Sequence, residues 1–66
     1  MKVMVNGQPK DLPDGSTLAQ LLEAESEPAH HVLVEINGKY IPERQYDGVA
    51  LCEGDRLEII LPAFGG

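Results

Sequence analysis

Two Asn-Gly pairs, Asn6-Gly7 and Asn37-Gly38, each stand between short runs in which apolar and polar residues alternate. Asn and Gly both tolerate positive φ, and such a pair between alternating runs is the strongest short-range signal for a β-hairpin. A short chain carrying two of them is committed to paired strands. Before the first pair, Val3 and Val5 fall on one face and Lys2, Met4 and Asn6 on the other. Leu12 returns on a second short strand, and Pro9 and Pro13 confine that strand to a sheet edge. Before the second pair, Val32, Val34 and Ile36 alternate with Leu33 and Glu35; Tyr40 and Ile41 return after it, until Pro42 stops the strand.

Between the hairpins lies the one helical pattern. Asp14-Gly15-Ser16-Thr17 is turn and cap chemistry, Thr17 and Gln20 match a capping box, and Leu18, Leu21 and Leu22 form an apolar stripe. The helix is expected to end near Ser26, because Pro28 biases Glu27 away from helical geometry. Glu23 and Glu25 oppose the helix dipole there, so that end is expected to fray. After Pro42, residues Glu43 to Leu51 read as irregular and Glu53-Gly54-Asp55 as a turn. Arg56 to Leu61 reads as a strand with Leu57, Ile59 and Leu61 on one face. The order predicts an α+β domain over residues 1–61, a mixed sheet of about five short strands with one helix across one face. Residues 62–66 are expected to form an extended, mobile tail.

Size limits what this domain does. A chain of 66 residues buries only about 60% of the surface its unfolded form exposes, which leaves no spare core for a deep, enclosed active site. The single Cys52 makes no internal disulfide, and no spaced Cys/His set resembles a metal site, so none is expected. The absence of disulfide chemistry fits a reducing, cytoplasmic setting. No apolar run approaches the ~20 residues a membrane span needs. Five basic against eleven acidic residues give a net charge of −6, which disfavours nucleic acid and anionic membrane and favours a basic protein surface as partner. His30-His31 reads as a solvated loop, Cys52 as a partly buried small residue, and Glu23, Glu25 and Glu27 as solvated. Tyr40 and Tyr46 suit either a docking surface or the edge of the core.

Residues 62–66 read either as an ordinary frayed chain end or as the segment that carries the chemistry. Pro62-Ala63-Phe64-Gly65-Gly66 extends roughly 17 Å, enough to enter another protein's active site. Glycine lacks the β-carbon that would block a narrow channel. The Gly66 carboxylate, ionised at neutral pH, is a nucleophile for the α-phosphate of a bound nucleotide, and the product would be an acyl adenylate. A partner also needs a surface to grip. If Val3, Val5, Val34, Ile36, Leu57 and Ile59 face the helix, then Met4, Leu33 and Ile60 lie on the uncovered face as a candidate docking site.

Several stretches resemble one family. Val3-Met4-Val5-Asn6-Gly7 with Leu12-Pro13-Asp14-Gly15-Ser16-Thr17-Leu18 is similar to the opening of the sulfur carrier proteins of thiamine biosynthesis. So are Val34-Glu35-Ile36-Asn37-Gly38 running on to Ile41-Pro42, Glu53-Gly54-Asp55-Arg56-Leu57-Glu58-Ile59, and the closing Gly65-Gly66. The resemblance implies a ubiquitin-like β-grasp fold and a protein cosubstrate, not an enzyme. It implies that an E1-like adenylyltransferase, using ATP and magnesium that this chain does not bind, activates Gly66. A sulfur donor such as a cysteine desulfurase then converts the adenylate to a thiocarboxylate, and thiazole synthase takes the sulfur. Phe64 before Gly65 departs from the usual tail, and Pro62 is similar to the molybdopterin-synthase small subunit. A carrier for molybdopterin or another metabolite, or a ubiquitin-like protein modifier, therefore stands as the alternative.

Overall fold

The computed structural model describes residues 1–25 and 31–61. The chain runs β1 (Lys2–Val5), β2 (Gln8–Asp11), α1 (Leu18–Ala24), β3 (Leu33–Ile36), β4 (Lys39–Ile41), a 3₁₀ helix (Glu43–Gly48) and β5 (Arg56–Ile60). The strands form one sheet in the order β2-β1-β5-β3-β4, in which β1 and β5 are parallel and the other neighbours antiparallel. The last strand thus occupies the centre, between the two hairpins. Both hairpins turn as the Asn-Gly pairs require: Asn6 and Gly7 have φ of 51° and 81°, and Asn37 and Gly38 have 53° and 84°, the two left-handed residues of a type I′ turn. Pro9 sits in β2, an edge strand, where its missing donor does not interrupt an inner ladder. Pro13 lies beyond that strand, which ends at Asp11; Leu12 follows it, its amide donating to the Met1 carbonyl at 2.8 Å.

Helix α1 starts where the sequence places it. The Thr17 hydroxyl accepts from the Gln20 amide and the Gln20 side chain accepts from the Thr17 amide, closing the capping box. Leu18, Leu21 and Leu22 are fully buried against Val3, Val34 and Leu57 from the sheet. The helix ends at Ala24 with Glu25 as its C-cap, beside the expected Ser26; Ser26 to His30, including Pro28 and Glu27, lie outside the described residues. Glu25 pairs with Lys10 of β2, which compensates a charge the helix dipole opposes.

The segment after β4 corrects the sequence reading. Glu43 to Leu51 is not irregular throughout: Glu43–Gly48 is a 3₁₀ helix that sends Tyr46 into the core, and Ala50 bridges to Thr17. Ser16 and Leu18 exchange backbone hydrogen bonds with Leu51 and Val49, so this segment closes the core beside the helix N-terminus. Burial, aided by the nearby Tyr40 and Glu43 charges, raises the Tyr46 phenol above its ordinary pKa of 10.0. Cys52 is a second correction. It is exposed, because it opens the turn to Asp55, whose carboxylate accepts from the Cys52 amide, while Leu51 takes the core position. The third correction concerns Leu61. Strand β5 ends at Ile60, so Leu61 leaves the alternation and is 60% exposed.

Candidate functional site

β5 is held at both ends by the hairpin asparagines, a role that turn chemistry alone does not announce. At its start, the Asn37 side chain accepts from the Arg56 amide at 3.0 Å and donates to Asp55, and the Asn37 amide donates to the Arg56 carbonyl. At its end, Asn6 accepts from the Ile59 amide at 2.8 Å and donates to the Ile59 carbonyl at 3.2 Å. A side-chain amide there replaces the backbone partner lost where β1 turns away, and satisfies both polar groups of Ile59. The direction of β5 is thereby set almost to its last residue.

Those five residues, Pro62, Ala63, Phe64, Gly65 and Gly66, lie outside the described residues. The sheet face beside their point of departure is described. Alternation puts Val3, Val34 and Leu57 under the helix and leaves Lys2, Met4, Leu33, Glu35, Tyr40, Arg56, Glu58 and Ile60 on the other face. Leu33 and Ile60 are direct Cα partners and are 44% and 42% exposed. Met4 shares the face but not the neighbourhood: it is level with Arg56, about 13 Å along β5 from Ile60. The candidate docking residues therefore divide into a tight pair, Leu33 and Ile60, and a separate, half-buried Met4. Tyr40 and Tyr46, which sequence left undecided, have opposite fates: Tyr40 is 53% exposed on this face and Tyr46 is buried.

On the helix side of the same sheet end, an open groove of about 380 Å³ is lined by Val5, Pro9, Lys10, Glu25, Ile59 and Leu61. The Lys10–Glu25 ion pair forms part of its wall, and no nucleophile and base are paired along it. Among the described residues no group of His, Cys, Asp and Glu is placed to hold a metal ion. His31 is exposed, and His30 lies outside the described residues. No described helix is long and apolar enough to cross a membrane.

Comparison with known proteins gives consistent results. The ThiS family model matches residues 3–66. A crystal structure of the thiamine biosynthesis protein (ThiS) from Geobacter metallireducens superimposes with a TM-score of 0.86 at 29% identity, covering 100% of both chains. An NMR solution structure of a thiamine biosynthesis protein from the same organism gives 0.76 at 30% identity, covering 100% of this chain and 86% of that one. A thiazole synthase from Paramagnetospirillum magneticum is 33% identical over 66 residues. That match takes in the whole of this chain but spans about a fifth of the relative, 20% of its length.

Proposed function

Because the chain belongs to the ThiS family and has its ubiquitin-like β-grasp fold, we propose that it is a sulfur carrier protein of thiamine biosynthesis, a cosubstrate that brings no catalytic group of its own. The Gly66 carboxylate attacks the α-phosphate of ATP in an E1-like adenylyltransferase and expels pyrophosphate, leaving an acyl adenylate. Adenylation turns a poor leaving oxygen into a good one. The terminal sulfur of a persulfide on a donor such as a cysteine desulfurase displaces AMP to give an acyl disulfide. A thiol reductant cleaves its S–S bond, itself ending in a disulfide, and the thiocarboxylate so released carries sulfur to thiazole synthase. ATP and its magnesium ion are held by the activating partner.

The observation that carries this reading is the family match, which runs through Gly66 and so takes in the Gly-Gly end as well as the domain. The geometry is compatible with it: β5, the last strand before residues 62–66 in sequence, lies at the centre of the sheet with an asparagine side chain bonded near each end. The relative whose thiazole synthase chain includes a segment like this one supports thiazole synthase as the acceptor's catalyst. Pro62, Ala63, Phe64 and Gly65 act as the reach that carries Gly66 into each partner. The test is a truncation. Removing Gly65 and Gly66 is expected to abolish adenylation completely, read as pyrophosphate release with the activating enzyme and ATP, with the thermal midpoint unchanged. Undiminished pyrophosphate release from the truncated chain would place the activated group elsewhere and end this reading.

A further inference from the structure

Glu35 and Glu58 are direct Cα partners across β3 and β5, so two carboxylates are set side by side on the uncovered face of the sheet. Like charges opposite one another across strands destabilise a sheet. Neither enters the ion pairs found among the described residues, which join the Met1 amine to Asp14 and Lys10 to Glu25. The next pair along the same strands on this face is Leu33–Ile60, and Tyr40 is the Cα partner of Glu35 on its other side. The cations of this face lie on the other side of the acidic pair: Arg56 is two residues before Glu58 on the same strand and forms no ion pair with it, and Lys2 lies further along, beyond Met4. An acidic pair, an exposed apolar pair and an exposed aromatic ring thus form one continuous surface, at the end of the sheet from which β5 runs into residues 62–66.

We propose that this surface docks the activating enzyme and that the Glu35–Glu58 pair receives an arginine from it, with apolar side chains around that arginine meeting Leu33, Ile60 and Tyr40. The proposal rests on the carrier reading and adds the chemistry of the partner's surface. Charge complementarity selects the occupant. A guanidinium has the planar fork to serve two carboxylates at once and a face that stacks on a tyrosine ring. Two copies of a chain with net charge −6 repel one another, whereas a basic surface is drawn in from a distance. The repulsion between the glutamates is tolerated in the free chain and relieved on docking, so neutralising them separates binding from stability.

The experiment uses the full chain and its Glu35→Gln, Glu58→Gln double variant. Adenylation kinetics with the activating enzyme are measured across a range of ionic strength, together with the thermal midpoint and sedimentation of the chain alone. The double variant is expected to raise KM at low salt by about tenfold or more, leave kcat at saturating carrier unchanged and lose most of the salt dependence of KM. Its midpoint is expected to be equal or higher. An unchanged KM, or a raised KM with a lowered midpoint, overturns the proposal, because the pair then lies outside the interface or supports the fold. A wild-type dimer that dissociates on substitution also overturns it, since the face would then belong to a second copy. Failure of the wild-type chain to be adenylated at all is a different result, which removes the carrier reading itself.

Discussion

Ile60→Asp is expected to abolish adenylation while the isolated domain keeps its thermal midpoint to within a few degrees. Ile60 is the last residue of β5, 42% exposed on the uncovered face and paired with Leu33. Its replacement removes little core packing. In a docked complex the same position would be covered by the partner, and there the substitution loses an apolar contact of about 1.5–3 kcal/mol. It also brings in an unpaired carboxylate whose desolvation costs several kcal/mol more. The combined loss exceeds about 3 kcal/mol, over a hundredfold in kcat/KM. Initial rates of pyrophosphate release and a thermal melt decide the matter. Unfolding of the variant would make Ile60 a core residue, and normal rates would move the docking site elsewhere.

Leu57→Ala has the opposite signature, a loss of the fold itself. Leu57 is 2% exposed in β5, the central strand of the sheet, level with Val5 of β1 on one side and Ile36 of β3 on the other. It packs in the same cluster as Leu18, Leu21 and Leu22. Truncation of a buried leucine costs about 2–5 kcal/mol, and a domain of 66 residues has only about 3–10 kcal/mol in hand. The midpoint is expected to fall by at least about 10 °C, with full unfolding at the upper end of the range. A change of less than a few degrees would mean that the core tolerates a cavity under the central strand. Set beside Ile60→Asp, this variant distinguishes the two faces of one strand.

Much of this architecture is legible in local chemistry. The Asn-Gly pairs, the Thr17–Gln20 capping box and the alternation of Val3, Val34 and Leu57 each specify a local geometry that tertiary packing then preserves. The misses occur where packing has no periodic trace. A single inward residue, Tyr46, holds the 3₁₀ helix against the core, and one residue makes no period. Cys52 resembles Leu51 in polarity, but a turn bonded through Asp55 sends it outward. The asparagine clamps on β5 and the opposition of Glu35 to Glu58 depend on register between segments distant in sequence. The grouping of Leu33 with Ile60 and the distance of Met4 depend on it as well, since alternation gives the face a residue occupies but not its neighbour across the strand.

The most direct measurement of the central claim is the intact mass of the chain after incubation with the activating enzyme, ATP and a sulfur donor, beside a chain lacking Gly66. The account predicts a mass rise equal to replacement of one oxygen by sulfur in the full chain alone, reversed when thiazole synthase and its substrates are added. A rise of the same size in the control, a covalent conjugate to another protein, or no change at all would contradict it.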